Sequence, residues 1–171
     1  LKITFKDKNL LTQAFLHRSY LNENSGLGMG HNERLEFLGD AVLELVVTDY
    51  LFETYKEQPE GAITAFRASL VNTNTISDAA KKLGFDEYLL LSKGESKDTG
   101  KARAYILANT FEAFTGALYL DQGYDAARDF IHAHLLPELK TIIDQGLWRD
   151  AKSYVQEKSQ EVEGVTPSYK V

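Results

Sequence analysis

Apolar residues recur at spacings of three and four through most of the chain, a pattern that predicts α-helices rather than strands. The first predicted helix carries Leu10, Leu11, Ala14 and Phe15 on its apolar side. Further predicted helices cover residues 33–55, 60–71, 75–83, 103–120 and 126–143, the last with an interruption near Pro137. Residues 25–30 and 89–100 lack the periodicity and are predicted to be loops. The expected fold class is therefore all-α.

Asparagine and glycine residues indicate where some of these helices begin, end or approach one another. Asn32 stands just before the helix over residues 33–55 and is predicted to be its N-cap. Gly84 and Gly123 are predicted to end the helices that precede them. Gly39 and Gly116 lie inside the two longest helices, where glycine costs up to about 1 kcal/mol relative to alanine. We interpret this cost as a sign that the two helices approach each other closely.

Three carboxylates interrupt the apolar pattern early in the helix over residues 33–55. Glu33 and Glu36 are three positions apart and Glu36 and Asp40 are four apart, so all three share one helix face. A solvated acidic face is one interpretation. Apolar residues such as Leu35 and Leu38 crowd the same segment, however, and partly buried carboxylates without cations are costly. The context favours a functional site, in which a divalent metal and a phosphate substrate would offset the repulsion.

The second long helix supplies a matching polar pair. Asn109 and Glu112 are three positions apart and share a helix face, which by itself is typical of a surface polar pair. Placed opposite Glu36 and Asp40, the pair would complete an all-oxygen site of the kind that Mg²⁺ prefers. Such a site suits phosphodiester hydrolysis, because a carboxylate-held cation activates water and neutralises the leaving oxygen.

Composition limits the kinds of protein and of metal site that the sequence can form. The chain has 171 residues, the size of one ordinary domain, and has no cysteine, so disulfides and thiolate ligands are excluded. No apolar stretch reaches transmembrane length and no signal-peptide pattern begins the chain, which indicates a cytoplasmic protein.

The net charge of −6 argues weakly against nucleic-acid binding. Positive charge is nevertheless concentrated mid-chain, either as a solvated face or as a phosphate-binding rim. The residues that carry it are Arg67, Lys81, Lys82, Lys93, Lys97, Lys101 and Arg103.

The segment over residues 32–43 reads NERLEFLGDAVL and resembles the nuclease-domain signature of bacterial ribonuclease III. Further blocks on both sides of this segment match the family in the same order along the chain, and together the matches span about residues 1–145. They are FLHRSY at 15–20, EG at 60–61, RASLVN at 67–72, ILANTFEA at 106–113 and GALYLD at 116–121. Residues 150–157 and 166–171 resemble the start of the family's double-stranded-RNA-binding domain. The predicted organisation is a nuclease domain over residues 1–146 and a truncated α/β RNA-binding domain over residues 147–171.

The resemblance implies an all-helical homodimer that cleaves double-stranded RNA with Mg²⁺, for which Mn²⁺ can substitute. The expected products carry 5′-phosphate and 3′-hydroxyl ends, and the expected substrates are ribosomal and messenger RNA precursors. By motif position, Glu36, Asp40, Asn109 and Glu112 would be the metal ligands, with Asp40 and Glu112 as catalytic residues.

The resemblance also implies roles outside the metal site. Glu33 would lie near the dimer interface and the catalytic valley. Phe37 would insert into a pocket on the partner subunit, although an ordinary core aromatic is the competing interpretation. Gln156 and Glu157 would belong to the RNA-contacting helix of the second domain.

One position departs from the family pattern. Where the family usually has aspartate, this chain has Asn109, which keeps an oxygen ligand and removes one negative charge. Three interpretations stay open: an active enzyme that tolerates asparagine, a related protein that binds RNA or ribosomes without cutting, or a change introduced to trap substrate. The three remaining acidic ligands favour the active enzyme.

Overall fold

The computed structural model describes residues 3–148, 155, 159–165 and 167–168. Within residues 3–148 the chain forms eight α-helices: α1 (Lys8–Ala14), α2 (Arg18–Glu23), α3 (Glu33–Thr54), α4 (Glu60–Leu70), α5 (Thr73–Lys82), α6 (Lys101–Gln122), α7 (Tyr124–His134) and α8 (Pro137–Asp144). Two short 3-10 turns cover Phe85–Tyr88 and Glu95–Lys97. The β pairing found among the described residues is one isolated bridge between Leu16 and Leu90. The prediction of an all-α fold is confirmed.

The core is organised around α6, which is buried along most of its length and packs against α1, α3, α5 and α7. Its most extensive partner is α3, the other 22-residue helix. Phe111 and Phe114 of α6 meet Phe130 of α7 with ring centroids 5.1 and 4.9 Å away. This aromatic packing holds α6 rigidly and so fixes the polar face that α6 presents beside α3.

Two local features differ from expectation. The periodicity did not indicate α2, which is only six residues long and is capped by the His17 side chain. Asn32 stands at the N-cap position of α3 but makes no capping hydrogen bond. It is buried, and its side-chain amide donates to the Ala14 carbonyl at 3.1 Å instead. A tertiary contact therefore replaced the local one that the sequence suggested.

Beyond α8 the chain turns back onto the helical body, where the Trp148 and Phe66 ring centroids are 4.9 Å apart. The predicted RNA contacts Gln156 and Glu157 lie outside the described residues, as do several other residues of the predicted RNA-binding domain over residues 147–171. Those assignments stay predictions. Among the described residues, no helix combines the length and apolar character needed to cross a membrane.

Candidate active site

The two helices that carry the predicted ligands cross at Gly39 and Gly116. A Cβ atom built on Gly39 would overlap the carbonyl oxygen of Glu112 and lie 2.8 Å from the Gly116 nitrogen. A Cβ on Gly116 would overlap the carbonyl oxygen of Leu35. The backbones of α3 and α6 are therefore in direct contact, as the interior glycines predicted. The crossing places Glu36 and Asp40 of α3 beside Asn109 and Glu112 of α6.

The four side chains influence one another electrostatically. Burial raises the pKa of Glu36, and the neighbouring charges of Glu33 and Asp40 raise it further. A hydrogen bond with the Asn109 side chain lowers the pKa of Glu36 and so offsets part of this increase. Asn109 on α6 thus lies on the side that faces Glu36.

Glu112 is the most strongly perturbed member of the group. Burial raises its pKa to about 8, and the charges of Asp40, Glu36 and Glu44 add to the increase. Among the described residues, no Lys, Arg or His side chain lies within 4 Å of the carboxylates of Glu36, Asp40 or Glu112. The protein concentrates carboxyl groups at this crossing without supplying a positive side chain that would favour their charged forms.

Sequence reasoning missed Glu44, the third carboxylate that acts on Glu112. Its position could have revealed it, because Glu36, Asp40 and Glu44 follow one another at four-residue intervals on α3. Glu44 differs from the others in having a cation, since the Arg67 Nε lies 3.2 Å from its carboxylate. The Arg67 Nη1 also donates to the Thr48 hydroxyl at 2.9 Å. Arg67 therefore holds Glu44 at the edge of the acidic group.

The donor set fits a hard divalent cation. In the described part of the chain, no three His, Asp or Glu side chains form a ready-made metal cage. Mg²⁺ does not require one, because it usually keeps several waters and binds through one or two carboxylates. Three carboxylates and the Asn109 amide at one helix crossing, unbalanced by protein cations, are the oxygen donors that such an ion takes.

The two residues expected at the periphery differ in their surroundings. The Glu33 carboxylate is 3.4 Å from Arg18 Nη1 and 3.7 Å from His31 Nδ1, although its charge still acts on Glu36. The Phe37 side chain is 81% exposed, which excludes an ordinary core aromatic in the single chain. Leu45 and Phe52 extend this exposed apolar stripe along α3.

Comparisons with known proteins agree with this architecture. The sequence model of the family described as "Ribonuclease-III-like" matches residues 7–139. Ribonuclease 3 of Enterococcus faecalis is 46% identical over 172 residues, which cover 99% of this chain and 73% of that protein. Ribonuclease 3 of Oceanobacillus iheyensis is 50% identical over 141 residues, covering 82% of this chain and 62% of that protein.

A solved structure extends the likeness to three dimensions. The nuclease domain of ribonuclease III from Campylobacter jejuni superposes with a TM-score of 0.70 at 39% identity. The match covers 77% of this chain and 88% of that one. That protein has a region involved in dimer formation.

The helical fold and its acidic helix crossing define the class of the protein, a nuclease domain. The chain belongs to the ribonuclease III family. It spans between about three fifths and three quarters of the length of the curated relatives named here. Its enzyme class, an endoribonuclease, follows from this membership.

Proposed function

We propose that the protein is a divalent-metal-dependent endonuclease of double-stranded RNA. The observation that carries the proposal is the uncompensated carboxylate group at the α3–α6 crossing, with Glu112 at its buried end. Mg²⁺ is the preferred ion and Mn²⁺ the substitute, because the donors are all oxygen. The expected products carry 5′-phosphate and 3′-hydroxyl ends, and ribosomal and messenger RNA precursors in the cytoplasm are the expected substrates.

Each residue of the site has a distinct task. Glu36, Asp40, Asn109 and Glu112 would hold the cation, which when bound supplies Lewis-acid activation of water and neutralises charge on the phosphate. Burial of Glu112 limits the access of bulk water and strengthens the electrostatic interactions there. Glu44, tied to Arg67, adds negative potential without competing as a free ligand. Rigid packing of α6 keeps these groups in place.

Charge distribution supports a nucleic-acid substrate despite the net charge. Four of the mid-chain cations are already paired: Arg67 with Glu44, Lys81 with Asp78, Lys82 with Glu138 and Arg103 with Asp86. Lys93, Lys97 and Lys101 are exposed and have no carboxylate within 4 Å among the described residues. We name residues 91–101 the lysine loop and propose that it contacts the phosphates of the duplex, since A-form RNA is recognised largely through its backbone.

The direct test is incubation of the purified protein with a long RNA duplex and Mg²⁺ or Mn²⁺. We expect cleavage with both ions, none with excess chelator, and 5′-phosphate ends that a ligase can use without prior phosphorylation. A DNA duplex of the same sequence serves as the matched control and is expected to stay intact. An RNA duplex left uncut under both metals would contradict the proposal.

The exposed stripe of α3 supports a homodimer. Phe37, Leu45 and Phe52 lie on one helix face, and large apolar residues exposed together are typical of a protein–protein contact. A two-fold axis near Leu45 would pack this stripe against its own copy in antiparallel fashion. Phe37 would then reach the part of the partner near Phe52.

Replacing Phe37 is expected to weaken this dimer by at least about 30-fold, because an aromatic anchor contributes about 2 kcal/mol or more to an interface. Sedimentation velocity over a dilution series measures the change for Phe37→Ala. Tyr88→Ala removes an aromatic of similar exposure outside the stripe and should leave the association unchanged. A Phe37→Ala protein that sediments like the wild type at every concentration would refute the role of Phe37.

A second candidate function rests on Asn109 alone. The asparagine lowers the negative charge of the donor set by one, which would suit a protein that binds RNA or ribosomes without cutting. Its side chain, however, lies near enough to the Glu36 carboxyl to lower the pKa of that group, so it still faces the site. Three acidic donors remain, and we therefore favour the enzyme.

Asn109→Asp separates these two functions. If asparagine serves as a ligand, the variant should need about tenfold less Mg²⁺ for half-maximal cleavage, while its rate at saturating Mg²⁺ stays within about tenfold of wild type. Titration of cleavage rate against Mg²⁺ measures both quantities. Cleavage that appears only in the aspartate variant would establish the non-cutting alternative.

A further inference from the structure

The short segment over residues 14–19 contacts two parts of the site at once. On one side, the Ala14 and Leu16 carbonyls accept hydrogen bonds from the Asn32 side chain and backbone at 3.1 and 2.9 Å. Asn32 immediately precedes α3, the helix that carries the acidic residues. On this side, the segment fixes where α3 begins.

On its other side the same segment holds the start of the lysine loop. The Leu90 nitrogen donates to the Phe15 carbonyl at 3.0 Å, and the His17 nitrogen donates to the Leu90 carbonyl at 3.2 Å. The Ser92 nitrogen donates to the Ser19 hydroxyl oxygen at 3.1 Å. Three hydrogen bonds therefore tie residues 90–92 to this segment.

The contacts continue from Ser92 into the loop itself. The Ser92 hydroxyl accepts a hydrogen bond at 3.2 Å from the nitrogen of Glu95, the first residue of the 3-10 turn that ends at Lys97. The Lys93 nitrogen donates to both carboxylate oxygens of Glu23 at 3.3 Å. The backbone at Lys93 is thus positioned by Glu23 of α2 and that of the turn ending at Lys97 by Ser92, while both lysine side chains stay exposed.

His17 completes the arrangement through one ring nitrogen. Its Nδ1 accepts from the Ser19 nitrogen at 3.3 Å and lies 2.8 Å from the Ser19 hydroxyl oxygen. Since that oxygen accepts the Ser92 N–H, the Ser19 O–H is free to donate to Nδ1 of the neutral ring. The neutral His17 ring therefore orients the Ser19 hydroxyl toward the loop and caps α2 as well.

We propose that residues 14–19 form a bracket that fixes the lysine loop relative to α3, with His17 and Ser19 as positioning residues for the contact with duplex RNA. The inference rests on the proposed function, because it assigns the loop to RNA phosphates. The bracket explains why one six-residue segment bonds to both the acidic helix and the cationic loop. It sets the phosphate-binding lysines at a fixed place relative to the cleavage site.

Protonation of His17 would weaken the bracket, because a protonated Nδ1 no longer accepts from Ser19. Burial lowers the pKa of His17 below its ordinary value of 6.5. Glu95 and Glu33 act in the opposite direction, and Arg18 and His31 reinforce the lowering. The neutral ring is thereby maintained at physiological pH.

The experiment combines amide hydrogen exchange with duplex binding. Exchange at residues 90–97 is measured in the protein without RNA. Binding is measured with Mg²⁺ in a Glu112→Gln background that does not cut. Ser19→Ala and His17→Ala test the bracket, and His17→Asn restores a side-chain acceptor that does not titrate. Ser77→Ala is the matched control, because Ser77 is a buried helical serine whose hydroxyl bonds only locally, to the Asn74 carbonyl.

We expect both alanine variants to speed exchange of the loop amides by about 5- to 30-fold, the change caused by loss of one cap or hydrogen bond. Duplex affinity should fall, and the slope of log affinity against log salt should decrease by about one to two. Ser77→Ala should change neither quantity, and His17→Asn should preserve both. In the wild type alone, loop exchange corrected for its intrinsic rate should rise as the pH falls below 6.5.

Three results would overturn the inference. Loop exchange unaffected by both alanine variants would show that the bracket does not hold the loop. Faster loop exchange with unchanged duplex affinity would show that the position of the loop set by the bracket does not affect RNA binding. If the protein with an intact bracket does not bind duplex at all, the proposed function is overturned, and with it the role of the bracket in RNA binding. Amide exchange would still report separately on the hydrogen bonds of the bracket.

Discussion

Replacing Glu112 with glutamine is expected to abolish cleavage of duplex RNA and, at the same time, to stabilise the metal-free protein at neutral pH. Cleavage should fall by more than about a hundredfold, because even residues that only orient metal ligands cost 10- to 100-fold when replaced. Stability should rise because glutamine removes a carboxylate that is buried among Asp40, Glu36 and Glu44. A residue retained for packing alone would not give this combination.

The same carboxylate sets a pH dependence for the metal-free protein. In the unfolded chain Glu112 titrates near its ordinary pKa of 4.5, whereas in the folded protein its pKa is about 8. Between these values the unfolded state has lost a proton that the folded state still holds, so stability falls as the pH rises. Below about pH 4.5 stability is not reduced by this effect, and above about pH 8 the reduction in stability is complete. The raised pKa of Glu36 acts in the same direction.

Thermal unfolding in chelator between pH 5 and 8 measures this dependence. Glu112→Gln should flatten the decline, and Mg²⁺ should restore stability to the wild type more than to the variant. Glu57→Gln, which removes an exposed glutamate outside the site, should reproduce the wild-type profile. A Glu112→Gln protein that cuts normally, or whose stability declines with pH as steeply as wild type, would contradict the assignment.

The second large effect is expected at the helix crossing. A methyl group on Gly39 would overlap the Glu112 carbonyl oxygen, and the atoms next to it are backbone atoms that cannot rotate away. Gly39→Ala should therefore destabilise the protein by about 3 kcal/mol or more and lower its Tm by about 6 to 12 °C. Cleavage should also fall, because separating α3 from α6 moves Glu112 away from Glu36 and Asp40.

Gly61→Ala is the matched control for this substitution. Gly61 is a helical glycine of α4, and a Cβ added there would meet no neighbouring heavy atom within 4 Å. Alanine at this position should be neutral or should stabilise the helix by up to about 1 kcal/mol. Calorimetry and far-UV circular dichroism compare the two variants. If Gly39→Ala melts at the same temperature as Gly61→Ala, the close approach of the two backbones is not a requirement of the fold.

Much of the fold could be predicted because helical periodicity is a local property of the sequence. The predicted helix over residues 60–71 corresponds to Glu60–Leu70, and Pro137 begins α8 where an interruption was expected. The periodicity failed for α2, since six residues are too few to show a repeat. The N-cap preference placed Asn32 correctly but not its bond, because its side chain donates instead to Ala14, which lies 18 positions away in sequence.

The candidate site, like the fold, could be predicted from the sequence only in part. The spacing of Glu36 and Asp40, and that of Asn109 and Glu112, follows from helix geometry and was readable from the sequence. The raised pKa of Glu112 was not, because it depends on how deeply the side chain is buried and on charges contributed by another helix. Pairing of the mid-chain cations was equally hidden, since partners such as Lys82 and Glu138 are distant in sequence.

The sequence by itself determined an all-helical protein, two sets of oxygen-bearing side chains proposed as half-sites and a resemblance to one nuclease family, because each of these depends on residues near one another in the chain. Only the tertiary structure decided that the half-sites meet at Gly39, that Phe37 is exposed and that residues 14–19 join the acidic helix to the lysine loop. The physical reason is that desolvation, charge repulsion and hydrogen bonding act through space, between groups that only the packing of the helices brings together.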